Sequence, residues 1–368
     1  PAPRPSINAH PVSQTLAPGG SATFRVTATS REGALTYQWR KDGTAIADAN
    51  SATLTVANLT ASHAGDYTVV VSTAYGGSTE SRLARLVAAT PEPGRIVNLS
   101  VLSSSRSCTS PLIVGFVVSG GGKPLLIRAT GPALAGFGVG GTLPDPCLDL
   151  HATINGQVTV AARNDNWGSS GTAALRTAFA ATGAFALADT ASLDAALLST
   201  VDGLRTVSVY DTADRSGMTL VEVYDVGTGN TQRLVNESAR NFVGTGDNIL
   251  IAGFVVSGNT PKKLLIRGIG PRLADFGVPG VLADPKLELY QARPAGGSVL
   301  FASNDNWGDD DAAGLRAAFA ATGAFELAEA ASKDAALLLT LPAGSYTALV
   351  SGVGATTGEA LVEVYEVP

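Results

Sequence analysis

Apolar and polar residues alternate along most of this chain, which is the pattern that half-buried β-strands produce. A clear early example occupies residues 22–28, in which every second residue is apolar. Two stretches follow a different rule, because their apolar residues recur at the i, i+3 and i+4 spacing of a helix. These residues are Leu175, Ala178 and Phe179 in one stretch and Leu315, Ala318 and Phe319 in the other. Gly183 and Gly323 follow where left-handed C-terminal caps belong. The pattern predicts an all-β protein with two short helices.

Beyond residue 94 the same order of strands and helix occurs twice. The pentapeptide Asn-Asp-Asn-Trp-Gly occupies residues 164–168 and again residues 304–308. The two copies also begin alike, at Arg95 and Arg233. The chain therefore contains a tandem duplication, with predicted units 95–227 and 228–368. Each unit is predicted to be an antiparallel β-sandwich or jelly roll with one short helix.

The first 89 residues have a different order of strand signals. Trp39 lies in an apolar strand and can pack between two sheets against Val26 and Val69. This unit resembles an immunoglobulin domain of the I-set kind, as found in bacteria. The resemblance implies that Trp39 is the core tryptophan of the third strand and that Tyr67 is the tyrosine-corner residue. Valines stand at the two usual disulfide positions, so apolar contact is expected to replace that bond. The proline-rich stretch 90–94 is predicted to be a stiff linker.

Residues 95–368 resemble a tandem unit in the C-terminal part of very large secreted bacterial proteins that also carry immunoglobulin-like repeats. That resemblance brings no activity with it. A weaker likeness is to the secreted pre-peptidase C-terminal sandwich. It rests on the strand at 287–290 before Asn304 and Asp305, and on the late strand that follows residues 344–347. The weaker likeness implies an accessory module and not an enzyme.

The composition of the chain limits the classes of partner that it can bind. Of the 368 residues, 45% are hydrophobic and only 15% are charged, against about a quarter charged in an average protein. Either the sandwiches are tightly packed with few exposed charges, or they bury surface against copies or neighbouring domains. The net charge of −6 without a Lys/Arg cluster argues against nucleic-acid binding. The longest apolar run, residues 249–256, is too short for membrane insertion.

The two cysteines, Cys108 and Cys147, both fall in the first copy. Their counterparts in the second copy are Gly246 and Lys286, so the cysteines are absent together. A bonded pair is expected to be lost in this way, and we predict a Cys108–Cys147 disulfide in an oxidising compartment. Two unrelated buried thiols are the alternative.

The repeated Asn-Asp-Asn-Trp motif places oxygen ligands beside an aromatic ring. Calcium takes carboxylate and amide oxygens, which makes a small set of residues candidates for a calcium site: Asn304, Asp305, Asn306 and Asp309, with Asp165 in the first copy. The alternative is an Asx turn that caps the backbone before the helix. Trp167 and Trp307 are candidates for stacking on sugar rings, or alternatively they fill the end of each sandwich.

Four charged residues interrupt apolar strands at matching positions in the two copies: Arg128 and Glu222, and Arg267 and Glu363. Either their faces are solvated, or each arginine meets its glutamate in a semi-buried ion pair. Breaking a fully buried pair from one side costs about 3–5 kcal/mol.

No catalytic set is expected. The duplicated region contains one histidine, His151, and no glycine loop has the strand–loop–helix order of a phosphate site. We therefore predict a non-catalytic structural or adhesive segment of a large secreted or cell-surface bacterial protein that self-associates into a fibre. The alternative is a carbohydrate-binding accessory module of a secreted hydrolase. The predicted partners are neighbouring domains, copies of the same protein and glycans, and no cofactor is predicted apart from the candidate calcium.

Overall fold

The computed structural model describes most of the chain, namely residues 4–30, 33–74, 76–89, 92–105, 108, 110–169, 171–227, 229, 231–293, 296–309, 311–327 and 331–368. The chain divides into two compact units, Pro1–Gly94 with Gly258–Pro261 and Arg95–Ser257 with Lys262–Pro368. The predicted all-β class is confirmed. No helix among the described residues is long and apolar enough to cross a membrane.

The first unit is a small sandwich of ten short strands in the described residues. They are β1 (Ser6–Ala9), β2 (Gln14–Leu16), β3 (Ala22–Arg25), β4 (Thr27–Thr29), β5 (Leu35–Lys41), β6 (Thr44–Ala45), β7 (Thr53–Val56), β8 (Gly65–Thr73), β9 (Ser78–Glu80) and β10 (Ala84–Ala88). One sheet has the order β2–β10–β8–β5–β6, with β9 beside β8, and β3 pairs with β7. Residues 90 and 91 of the predicted linker lie outside the described residues.

The core of the first unit is built around Trp39, which is fully buried. Its ring centroid lies 6.0 Å from that of Phe24, and Phe24 stacks on Tyr67 at 4.8 Å. The Tyr67 hydroxyl donates a hydrogen bond to the carbonyl of His63 at 2.8 Å, which is the geometry of a tyrosine corner. Val69 is also buried in this core.

The second unit contains the two copies. Its strands are β11 (Arg95–Ser105), β12 (Leu112–Thr130), β13 (Pro146–Ile154), β14 (Gln157–Asn164), β15 (Ala195–Asp211), β16 (Gly217–Asp225), β17 (Arg233–Val243), β18 (Leu250–Ser257), β19 (Lys262–Ile269), β20 (Pro285–Ala292), β21 (Ser298–Asn304), β22 (Ala335–Leu341), β23 (Gly344–Gly352) and β24 (Gly358–Glu366). The helices are α1 (Thr172–Thr182) and α2 (Ala312–Thr322).

These strands form two eight-stranded layers. Layer A has the order β14–β13–β15–β12–β17–β24–β19–β22, and layer B has the order β15–β12–β16–β11–β18–β23–β20–β21. Strands β12 and β15 occur in both layers because each is long enough to pass from one to the other, and the register of their pairing shifts between Val118 and Lys123. One continuous hydrophobic core draws on both layers.

The first strand of each copy is exchanged between the copies. Strand β11 pairs with β16 of its own copy on one side and with β18 of the second copy on the other. Reciprocally, β17 pairs with β24 of its own copy and with β12 of the first copy. The predicted boundary at residue 227 therefore separates two copies of sequence, whereas their strands share two layers and one packing unit.

Each helix covers the outer face of one end of a layer. Helix α1 packs on Leu126 of β12 and Ala196 of β15, and α2 packs on Leu265 of β19 and Ala336 of β22. The glycines that follow the helices, Gly183 and Gly323, have φ angles of 73° and 72°. A side chain is strained in that left-handed conformation, so glycine ends the helix there.

Because the exchanged strands join the copies, we expect the second unit to open as one cooperative body. Leu112 and Leu264 are both fully buried in the shared core, and Leu→Ala at either site is expected to cost about 2–5 kcal/mol. Hydrogen exchange followed by mass spectrometry checks this expectation. In each variant, the slowest peptides of both copies should exchange faster by the same factor. Faster exchange confined to the mutated copy would contradict it.

Candidate functional site

The first asparagine of the repeated motif ends an outer strand and ties it to the strand beneath the helix. The Asn164 Oδ1 atom accepts from the backbone N–H of Ala196 at 2.9 Å, and its Nδ2 donates to the carbonyl of Asn166 at 3.2 Å. In the second copy the Asn304 Oδ1 accepts from the N–H of Ala336 at 3.0 Å. The side-chain amide of each asparagine is thus hydrogen-bonded to the backbone, as expected for the predicted Asx turn.

The two tryptophans of the motif are fully buried, each with an exposed fraction of 0%. The ring of Trp167 lies 5.8 Å from that of Phe179, and the ring of Trp307 lies 5.7 Å from that of Phe319. The Trp167 Nε1–H donates to the carbonyl of Asp189 at 3.0 Å. The structure therefore places both indoles beneath the helices as core residues. Neither offers an open face for a sugar ring, contrary to the sugar-stacking interpretation.

Three of the five candidate calcium ligands, Asp165, Asp305 and Asp309, are exposed. Among the described residues, no group of three or more His, Cys, Asp or Glu side chains could hold a metal ion. The Asn304 side chain is hydrogen-bonded to the backbone. The Asp305 Oδ1 accepts from the Asn306 Nδ2 at 3.3 Å. Calcium binding by these residues stays a prediction.

Behind each helix a buried arginine meets its glutamate. Arg128 is fully buried, and its Nε–H donates to Glu222 Oε2 at 2.9 Å. Its Nη1 donates to the carbonyl of Phe185 at 2.6 Å, and the guanidinium carbon lies 4.1 Å from the Phe185 ring centroid. The hydroxyl of Tyr224 completes the group by donating to Glu222 Oε1 at 2.5 Å. Of the two interpretations left open by the sequence, the ion pair is the one the structure adopts.

The second copy repeats this group almost atom for atom. The Arg267 Nε–H donates to Glu363 Oε2 at 2.9 Å, and Nη1 donates to the carbonyl of Phe325 at 2.6 Å. Tyr365 donates to Glu363 Oε1 at 2.7 Å. Burial, together with the neighbouring Glu363 charge, raises the pKa of Tyr365 above its ordinary value. Because these phenols stay neutral donors, each glutamate is fully satisfied inside the core.

A buried aspartate in each copy accepts hydrogen bonds from the turn that follows β12 in the first copy and β19 in the second. The Asp194 Oδ1 accepts from the N–H of Gly131 at 2.8 Å, and the Asp334 Oδ1 accepts from the N–H of Gly270 at 2.8 Å. Both aspartates are fully buried. In the sequence, these aspartates can be noticed only because they recur in both copies. Recurrence alone does not distinguish an aspartate that caps a turn from a catalytic acid.

The predicted disulfide is not formed in this structure. Cys147 is a buried thiol on β13, and its cross-strand neighbour on β15 is Tyr210. Burial, the largest influence, raises the pKa of the Cys147 thiol. Cys108 lies at an exposed position after β11, and its backbone N–H donates to Asp214 Oδ1 at 3.0 Å. The two thiols therefore lie in different surroundings, one buried and one exposed, and they are not bonded to each other.

One polar group on the outer face of β13 has no match in the second copy. The Arg163 Nε–H donates to Asp149 Oδ1 at 2.5 Å, and the Tyr210 hydroxyl donates to Asp149 Oδ2 at 3.0 Å. Burial would raise the pKa of Asp149, but these hydrogen bonds lower it below its ordinary value. Nearby, the His151 Nε2 lies 2.7 Å from Ser208 Oγ. Among the described hydrogen bonds, no carboxylate reaches the other nitrogen of that ring, so the pair lacks the orienting acid of a hydrolase triad.

A family model matches part of the first unit. Residues 4–73 match the family model described as an immunoglobulin domain, and this part of the chain is an immunoglobulin-like module. Over 60 residues the chain is 43% identical to the decoration protein of Escherichia phage T5, which covers 16% of this chain and 37% of the phage protein. The chain thus spans little more than a third of that relative. The resemblances predicted for residues 95–368 stay predictions.

Solved structures similar to this chain include single immunoglobulin domains and arrays of them. Domain D1 of Duf (Kirre) is 20% identical, with a TM-score of 0.20, over 24% of this chain and 99% of that structure. The titin M3 domain is 19% identical, with a TM-score of 0.21, over 24% of this chain and 100% of that structure. The four N-terminal immunoglobulin domains of Dscam1 isoform 8.4 are 27% identical, with a TM-score of 0.21, over 23% and 21%.

Replacing Arg267 by methionine leaves the Glu363 carboxylate buried without its cation, and we expect a loss of about 3–5 kcal/mol in unfolding free energy. The double variant Arg267→Met/Glu363→Met should lose less than the sum of the two single variants, because it removes both charges together. Urea unfolding monitored by fluorescence measures all three. Lys333→Met is the control, since its exposed contact to Asp284 at 3.8 Å is expected to contribute at most about 1 kcal/mol. Additive losses would rule out coupling.

Proposed function

We propose that this chain is a non-catalytic structural or adhesive segment of a large secreted or cell-surface bacterial protein. The observation that carries the proposal is where the recurring residues lie. The tryptophans, the arginine–glutamate pairs and the capping aspartates occur in both copies, and nearly all of these side chains are buried. A unit duplicated for its chemistry would be expected to keep shared polar residues around an open cleft. Here the shared residues stabilise helices, turns and layers.

The immunoglobulin-like module supports the same proposal. Such a module is a self-contained sandwich whose core contains Trp39 and Tyr67, and fold alone does not bring a reaction with it. The phage relative is named a decoration protein, and that name suggests a structural role on an exposed surface for the matched part of this chain. An extracellular location for this chain follows as part of the proposal.

Self-association into a fibre is the finer part of the proposal, and the outer strands of the second unit support it. Strand β14 ends layer A and β21 ends layer B, and in the described residues each pairs with one neighbour only. Both carry exposed apolar side chains, with Val158 exposed by 69% and Leu300 by 47%. Residues 298–304 of β21 contain no charged residue and no proline. Strand β14 contains no proline and one charged residue, Arg163, which is paired with Asp149. Natural edge strands usually carry such residues to block pairing with another chain.

A concentration series in multi-angle light scattering tests this part. The wild-type chain should gain average mass as its concentration rises, because two open edges in different layers allow successive copies to add. The variant Val158→Lys/Leu300→Lys should stay at the mass of one chain. Val12→Lys is the matched control, since Val12 is 67% exposed but lies in the first unit. A wild-type mass that does not change with concentration would end the fibre proposal.

A carbohydrate-binding accessory role is the second candidate, and one cleft favours it. The cleft lies where the two copies meet and has a volume of about 370 Å³. Its lining is rich in uncharged hydroxyl and amide groups, among them Ser103, Asn241, Thr245, Asn248 and Thr357. Such groups suit a neutral saccharide, and Phe242 supplies an apolar wall. Because both tryptophans are buried, this cleft replaces them as the place for a sugar.

Glycan-array screening separates the two candidates. If the accessory role is correct, bound glycans should be lost with Asn248→Ala and Thr357→Ala, which shorten side chains in the cleft. Trp167→Phe should leave the same signals in place. An array without bound glycans, or glycans retained by both cleft variants, would remove this candidate and leave the structural one.

A further inference from the structure

One carboxyl group in the shared core has no hydrogen-bond partner among the described residues. Glu237 lies in β17 and is 1% exposed. Neither of its carboxyl oxygens has a hydrogen-bond partner among the described residues. Burial raises the pKa of Glu237 well above its ordinary value, and it is the only cause of that shift. A buried polar group without a partner is costly, so its presence at this position requires a reason.

The surroundings of Glu237 are apolar. Its cross-strand neighbours are Phe116 on β12 and Val364 on β24, and both belong to the shared core. By strand alternation, the charged residue on the same face of β24 is Glu366. That carboxylate is already paired with Lys262 at 3.3 Å and with Arg233 at 3.7 Å. Among the described residues, no cation is therefore placed to hold Glu237 in its ionised form, which agrees with burial as the cause of the raised pKa.

The first copy shows what the fold itself requires at this position. The copies begin with Arg-Ile-Val-Asn-Leu and Arg-Leu-Val-Asn-Glu, and in this alignment Leu99 is the counterpart of Glu237. Leu99 is fully buried, and β11 has the same irregularity of pairing two residues earlier as β17. Leucine thus satisfies the packing at this site. The glutamate adds to it a group that can take up or release a proton.

We propose that Glu237 is a proton-controlled latch on the exchanged strand β17. In its protonated form it lets β17 complete layer A beside β12 of the first copy. Ionisation of Glu237 as the pH rises places an unpaired charge in the shared core and loosens the ladder between β17 and β12. Since that ladder joins the two copies, the whole second unit responds to the protonation of one side chain.

The direction of the pH dependence follows from linkage. The folded chain keeps the Glu237 proton at pH values at which the unfolded chain has lost it, above about pH 4.3. The folded state then binds more protons, so stability falls as the pH rises from there through the folded pKa. A single proton changes the folding equilibrium constant by up to about tenfold per pH unit. The loss stops once Glu237 is ionised in both states.

Urea unfolding between about pH 5 and about pH 9, a range in which buried carboxyl groups can titrate, tests the latch. Glu237→Leu copies the residue of the first copy and should remove this fall, so that its advantage over wild type grows with pH. Glu237→Gln should have the same flat profile, because its amide cannot ionise. Glu359→Gln, on the neighbouring strand β24, is the control and should keep the wild-type slope. Parallel profiles for wild type and Glu237→Leu would overturn the proposal.

Two further measurements do not depend on the stability of any variant. Infrared difference spectra of wild type minus Glu237→Gln should show the carbonyl stretch of a protonated carboxyl group at neutral pH. Hydrogen exchange of the wild-type chain, corrected for its intrinsic pH dependence, should accelerate at alkaline pH first in residues 112–119 and 233–243. Absence of the carboxyl band, or acceleration that spares these two segments, would equally overturn the latch.

Discussion

The architecture of the second unit depends on the reciprocal pairing of β11 and β17. Each of these strands is the first of its copy, and each has a neighbour from either copy on its two sides. A β-strand must satisfy its N–H and C=O groups on both sides when it is buried. The exchange does so with one ladder from each copy, and it turns two short sandwiches into two eight-stranded layers around one core. A single copy would leave one side of its first strand without a partner.

The residues that recur in both copies stabilise this pair of layers. The helices close the outer faces of the layers, and the fully buried tryptophans fill the space beneath them. The buried arginines satisfy the carbonyls of Phe185 and Phe325 at 2.6 Å, in loops that follow each helix. This distribution is the physical basis for a structural role. The two copies differ in the polar group around Asp149, which occurs only in the first copy, and in the unpaired carboxyl group of Glu237, which occurs only in the second. These residues give each copy a property that the other lacks.

The two units stabilise their sandwiches by different interactions. In the first, a single tryptophan and a tyrosine corner hold a sandwich that has no disulfide at the positions of Val26 and Val69. In the second, ion pairs are taken into the interior, where each must be fully hydrogen-bonded to avoid a large desolvation cost. Glu237 differs from these paired carboxylates because neither of its oxygens has a hydrogen-bond partner among the described residues, which is why its protonation matters.

The sequence by itself determined the class of fold, the duplication, both helices with their glycine ends, and the immunoglobulin-like nature of the first unit. These features depend on local periodicity and on residues whose conformational needs are local. Only the tertiary structure decided which strands pair, because β11 and β17 have similar apolar patterns and nothing local in the sequence shows that each takes one neighbour from the other copy. It also decided whether Arg128, Trp167 and Glu237 are buried. Burial depends on what covers a strand face, and that cover comes from helices and strands distant in the chain.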